Sequence, residues 1–234
     1  MFVTIVFVST RRTPVSRRDR PAKPALSRDG VVAAALDIMR AEGLERLTMR
    51  RLAAGLDTGP ASLYVYVRNT AELHGAVLDA LLTELDAIER AAEGTDADWR
   101  ERLIELLFAY TEMLMRYPAL ARSVLTMLPS GPRYVTMIDT MLGLLRRGGV
   151  PVRQAAWGVD LLLLNATAVA AEHGTREASG AAELESDQLA ATLREISSDE
   201  HPNIGWARPE LMSGAGVERL RWVYTTLIAG IAGT

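Results

Sequence analysis

Between Leu47 and Leu73 the chain reads LTMRRLAAGLDTGPASLYVYVRNTAEL, and this run restricts the fold more tightly than any other. A first helix is predicted to open at Thr48, whose hydroxyl can accept from the backbone N–H groups left free at a helix start. It runs through Met49, Leu52, Ala53 and Leu56, apolar positions at helical spacing. Asp57, Thr58 and Gly59 supply turn chemistry, because Asp tolerates a left-handed backbone and Gly has no Cβ to oppose one. A second helix begins near Pro60, where a missing N–H costs nothing, and carries Ala61 through Val67. With Leu63 and Val67 inward at i and i+4, Ser62, Tyr64, Val65 and Tyr66 fall on the remaining faces. Asn69 starts a third helix, with Glu72 at the capping-box position. Two short helices joined by a tight turn form the geometry that lays a recognition helix in a DNA groove.

Upstream, Ser27 to Gly43 (SRDGVVAAALDIMRAEG) reads as a helix closed by a glycine. Together, Ser27 to about Leu82 resemble the DNA-binding domain of the tetracycline-repressor family of transcriptional regulators. The resemblance implies DNA contacts residue by residue. Thr48 matches a phosphate contact near a helix start. Arg50 matches a position near a base edge or phosphate, and its guanidinium suits guanine. Pro60, Ala61 and Ser62 lie where the recognition helix enters the groove, and Tyr64, Val65 and Tyr66 follow on it. The resemblance gives Tyr64 a phosphate contact and Tyr66 a phosphate or base contact. Family members usually carry lysine where this chain has Thr70, so Arg68 or a basic arm is expected to compensate.

The formal charge of −3 is unsuited to DNA until it is divided along the chain. Met1 to Arg28 holds seven basic residues and one acid, a net +6, so the remainder carries −9. Positive charge therefore sits beside the helix-turn-helix, where it can neutralise phosphates. Residues 1–25 are expected to be a disordered basic extension, since Pro14, Pro21 and Pro24 oppose regular structure. They read either as an arm that adds DNA affinity or as a solvated tail or upstream start-codon artefact, the second pair being the expectation for the apolar MFVTIVFV start. That apolar stretch precedes the basic residues, the reverse of a secretory signal, and is too short to span a bilayer. The absence of cysteine excludes disulfides, thiolate metal sites and a cysteine nucleophile, and is compatible with a cytoplasmic location.

The rest reads as helix throughout, giving an all-α protein. Its expected parts are a helix-turn-helix domain at 26–75 and an effector-binding and dimerisation domain at 76–234. One amphipathic helix from Asn69 to about Ala92 links them and serves as the lever between them. Thr95 and Asp96 start the next helix, which stops at Tyr117-Pro118. A short helix follows to about Met127, then a loop at 128–133 and a helix from Tyr134 to Arg147. The most apolar helix spans Val152 to Glu172, with every side expected to meet protein or ligand. Asp160 and Asn165 interrupt it too much for a membrane span. Gly174 to Ser186 reads as a mobile loop, Ser186 to Ile196 as a helix, HPNIGWARP as a loop, and Pro209 to Ile231 as the last helix.

Arg116 to Val150 also resembles the effector domain of the tetracycline-binding branch. The family resemblance implies a homodimer through helices 152–172 and 209–231, reading a palindromic operator whose half-sites lie about 34–36 Å apart. It further implies release by a small effector. The tetracycline repressors hold a magnesium–drug complex with a histidine near LTMLPSG, and Leu125 to Gly131 contains none, so neither tetracycline nor a metal or other cofactor is expected. An apolar or aromatic effector fits better, drawing on Tyr110, Met113, Met137, Met141, Trp157, Asp160, Leu161 and Asn165. For the apolar members the competing reading is simple core. For Asp160, Asn165 and Thr167 it is an interhelical or dimer hydrogen bond. No phosphate-cradling loop, metal spacing or nucleophile elbow points to an enzyme. A helical adaptor binding protein is the alternative, and it would lack salt-steep, palindrome-dependent DNA binding.

Overall fold

The computed structural model describes residues 26–93, 98–180, 182–211 and 213–233. The basic extension at 1–25 and the helix start at Thr95 and Asp96 lie outside the described residues. Among those residues there are twelve α-helices and no strand.

The amino-terminal unit begins with α1 (Arg28–Glu42), capped by the Ser27 hydroxyl, which accepts from the Gly30 N–H at 3.1 Å. Gly43 ends it at φ +87, and a 3-10 turn over Leu44–Arg46 leads into α2 (Met49–Gly55). Next come α3 (Pro60–Leu63) and α4 (Thr70–Thr83). Val31, Ala35, Leu52, Leu63, Val67, Leu73 and Val77 are buried together, so the inward stripes of all four helices close one small core.

The expected single helix from Asn69 to Ala92 is two helices. After α4 the chain turns at Glu84–Asp86 and resumes as α5 (Ala87–Ala92). In one unbroken helix Ala87 would lie about 140° around from Leu82, off the buried stripe. The break re-aims it, and Ala87, Ile88 and Ala91 are all buried.

The larger unit follows: α6 (Trp99–Met115), α7 (Pro118–Val124), α8 (Pro132–Arg147) and α9 (Val152–Ser179). α10 (Ala182–Glu195), α11 (Pro202–Leu211) and α12 (Gly216–Ala232) complete it. α9 is the central element, packed by α6, α7, α8 and α12. Its Val152–Arg176 stretch is long and apolar enough to cross a membrane, with a mean hydropathy of 1.2, yet half of that window is buried inside the protein. Packing of a core helix accounts for the apolarity.

Three expectations change here. The stretch from Gly174 is helical to Ser179, because Gly174 is a packing residue and no stop; a Cβ there would come 2.8 Å from Pro118 Cγ and 2.9 Å from the Met115 carbonyl. Gly180, at φ +65, makes the turn instead. HPNIGWARP is mostly α11: Pro202 occupies its first turn, where a missing N–H costs nothing, and Pro209 stands inside the helix two residues before its end. The last helix accordingly starts at Gly216, well after Pro209.

Gly148 closes α8 over the indole of Trp99, where a Cβ would fall 2.4 Å from the ring. Gly148→Ala is expected to cost about 1–3 kcal/mol by overpacking, read as a lower urea midpoint with an unchanged slope.

Candidate nucleic-acid interface and ligand pocket

Thr48 caps α2 as expected, its hydroxyl accepting from the Arg51 N–H at 3.1 Å. The adjacent Arg50 is exposed, while Arg51 is engaged with Glu42 through Nε at 3.1 Å and a second guanidinium nitrogen. That fork fastens the end of α1 to the start of α2 and holds the Glu42 carboxyl below its usual range. The turn places its left-handed residue at Asp57, φ +50. Gly59 is extended, at φ −82, and a Cβ on it would meet open space.

The recognition helix is one turn, Pro60–Leu63, continued by turns to Tyr66. Tyr64, Val65 and Tyr66 are aromatic or β-branched, and such side chains lose rotamer freedom in a helix. Leu63 and Val67 are fully buried, whereas Ala61 and Ser62 just before them and Tyr64 and Val65 between them face solvent, Val65 at 80%. Tyr66 turns the other way: its hydroxyl donates to the Leu26 carbonyl at 2.6 Å, bracing the start of α1. Arg68 is exposed and pairs with Glu72 at 3.0 Å. The Asn69 side chain accepts from the Glu72 N–H at 2.8 Å, but the Glu72 carboxylate reaches back to the Arg68 N–H at 2.7 Å, one residue beyond the partner of a standard capping box. These bonds hold the Glu72 carboxyl below its usual range.

A cavity of about 520 Å³ opens in the larger unit between α8, α9 and the 124–129 segment. Apolar walls come from Leu125, Met127, Leu128, Ile138 and Leu142, and polar groups from Tyr134, Asp160 and Thr167. Burial pushes the Tyr134 phenol up, and the Asp160 carboxylate adds to the shift. An apolar enclosure with a few convergent polar groups is how small-molecule sites are built.

Of the residues the sequence singled out for an effector, Asp160 lines this cavity. Tyr110 stands one layer behind, its hydroxyl 3.2 Å from that of Thr167, and burial raises its pKa. Met113, Met137 and Met141 are buried core. Trp157 and Leu161 face outward on α9, 70% and 44% exposed, with Leu164 on the same side. Asn165 has a buried Oδ1 with no partner. Sequence reasoning missed Tyr134 and the 125–129 wall. Its one visible sign was an apolar LTMLP run inside a loop, where Leu128 is 97% exposed. Among the described residues no group of three or more His, Asp or Glu is placed to hold a metal.

Two hydrogen bonds tie α4 to this pocket wall. Asp79 Oδ1 accepts from the Tyr134 N–H at 2.9 Å, and His74 Nδ1 lies 2.8 Å from Ser123 Oγ.

The architecture defines an all-helical protein that joins a helix-turn-helix unit to a larger helical domain with a half-open cavity. Residues 92–232 match the family model described as "Tetracyclin repressor-like, C-terminal domain", and the chain belongs to the tetracycline-repressor family. SCO7704, a candidate transcription regulator from Streptomyces, is 49% identical, with 91% of this chain and 97% of that one covered at a TM-score of 0.73. ActR of Streptomyces coelicolor, in a structure holding actinorhodin, is 34% identical, covering 89% of this chain and 96% of ActR at a TM-score of 0.78. The transcriptional repressor DrrR1 of Streptomyces coeruleorubidus is 37% identical over 138 residues, 57% of this chain. There the chain spans about half the length of its curated relative, 48%.

Burial holds His74 below its ordinary value of 6.5. Above about 6.5 the ring is neutral folded or unfolded; as pH falls below that, the unfolded chain takes up the proton first and gains stability. Stability is therefore lost from about pH 6.5 downward until pH passes the folded pKa. His74→Gln should flatten this part of the profile, measured by urea unfolding at neutral and mildly acidic pH against wild type.

Proposed function

We propose that the protein is a transcriptional repressor that binds a palindromic operator as a homodimer and releases it on taking up a small apolar or aromatic effector. The observation that carries the DNA half is the exposure of Ser62, Tyr64 and Val65 around two buried anchors, Leu63 and Val67. Thr48, Arg50, Pro60, Ala61 and Arg68 complete the contact surface. Tyr66 is left out, because its hydroxyl is committed to Leu26.

We place the boundary between a DNA-binding unit at 26–75 and an effector unit at 76–234 inside α4, whose Leu73 and Val77 both reach into the small core. Dimerisation through α9 and α12 is supported by the outward Trp157, Leu161 and Leu164 on one helix and Val217 and Trp222 on the other. A stripe of this kind is what an isologous interface buries. The cavity and its polar trio support an aromatic effector, and ActR, which has a structure with actinorhodin, supplies a first probe. A DNA-bound regulator of this kind works in the cytoplasm.

Purified protein should bind a palindrome in the DNA flanking its own gene, with affinity falling steeply as salt rises. Arg50→Ala and Tyr64→Ala are each expected to weaken binding about tenfold or more, roughly 1–3 kcal/mol. Binding indifferent to both substitutions, or none at all, would favour protein contacts by a helical adaptor. Actinorhodin should release the operator from wild type and not from Ala156→Trp, which fills the cavity.

A further inference from the structure

The 125–131 segment is a partition. On one side it walls the effector cavity; on the other, Met127, Leu128 and Pro129 line a groove of about 1030 Å³ that separates it from α1 and α4. Space therefore exists for the partition to swing when the cavity fills.

Its ends are not free. Ser123, just before it, meets His74 of α4, and Tyr134, just after it, gives its N–H to Asp79 of α4. The second bond is a helix cap supplied by another helix. Gly131 is the N-cap residue of α8 and has no side chain to cap with, and Pro132 follows it at the first helical position. Asp79 takes over, placing a carboxylate at the positive end of α8, where a charge-assisted bond is strongest. The fit is close: a Cβ on Gly131 would sit 2.2 Å from Asp79 Oδ1. Arg133 adds an ion pair to Glu89 of α5.

We infer that Asp79 and His74 are the positioning residues that carry the signal between pocket and DNA: they bolt both ends of the partition to the helix that follows the recognition helix. Asp79 is the stronger bolt. The inference rests on the regulator reading above and names the atoms through which it works. α4 is a stiff rod of about 20 Å, anchored at its start by Asn69 and Glu72 beside the recognition helix. A swing of the partition, transmitted at residues 74 and 79, must turn that rod. By reciprocity, operator binding must be felt at the partition.

Reciprocity allows a test without any effector. Hydrogen exchange is followed by mass spectrometry on the full-length protein, alone and saturated with its palindromic duplex. In wild type, duplex binding should slow exchange across 124–134 at least threefold. Asp79→Asn, whose amide oxygen can still accept from Tyr134, should keep the response. Asp79→Ala and Gly131→Ala, the latter evicting the carboxylate, should bind the duplex within about threefold of wild type and lose the response. Ser123→Ala should reduce it. Should Asp79→Ala fail to fold, Gly131→Ala decides. A full response in Asp79→Ala or Gly131→Ala overturns the inference, as does a wild type that binds the duplex with no change at 124–134; both leave the regulator reading intact. Loss of duplex binding in a folded Asp79→Ala also overturns it, assigning Asp79 to the DNA unit's own structure. A wild type that binds no palindrome removes the regulator reading and this inference together.

Discussion

Burial of α9 is the constraint on which the larger unit depends. Val159, Leu162, Leu163, Ala166 and Ala170 need cover on several sides at once, and no single neighbour can provide it. α6, α7, α8 and α12 close around it. Small residues let them approach: Gly158 admits Ile231 of α12 and Gly174 admits Pro118 of α7, each at a distance no Cβ would allow. A buried hydroxyl network marks the same seam, where Thr111 and Tyr224 meet at 2.5 Å and burial pushes the Tyr224 phenol up to about 12. The side carrying Trp157, Leu161 and Leu164 is left exposed among the described residues. The same apolar excess that builds the core thus leaves a surface for a second copy.

The cavity exists because the cover is incomplete at one place. Between α7 and α8 the chain gives up helical structure for LTMLPSG, and an irregular segment cannot fill space as a regular ridge does. Tyr134, Asp160 and Thr167 then face an apolar void bounded by a wall that has no helix of its own to pack. Its attachment to α4 by side chains, in place of broad burial, leaves a few bonds to decide whether movement there reaches the DNA-binding unit.

Local chemistry made the helix-turn-helix legible in the sequence. Ser27, Thr48 and Asn69 each cap the helix they precede, Pro60 sits in a first turn, and Leu63 and Val67 are buried as their spacing demanded. These are decided within a few residues. Where local signals competed, they did not decide the outcome: Asp57 took the left-handed position that Gly59 could have taken, Gly174 was absorbed into α9 because of what it touches, and Pro209 stands inside α11. The 69–92 break was invisible, since no glycine or proline marks it and only the burial of Ala87, Ile88 and Ala91 requires it.

The pocket was less legible for a related reason. A long apolar helix such as α9 offers an aromatic or polar residue on every face, and sequence alone does not say which face meets a void. Trp157 and Leu161 were plausible on composition and point outward; Asp160, also exposed, lies at the cavity. Tyr134 was hidden because its neighbours resemble any helix start, and its role depends on a carboxylate 55 residues earlier in the chain. Caps formed within a segment can be read from spacing, whereas a cap lent by one helix to another depends on the fold being complete. Such a bond forms only when both units are docked, and it is therefore suited to report whether they are.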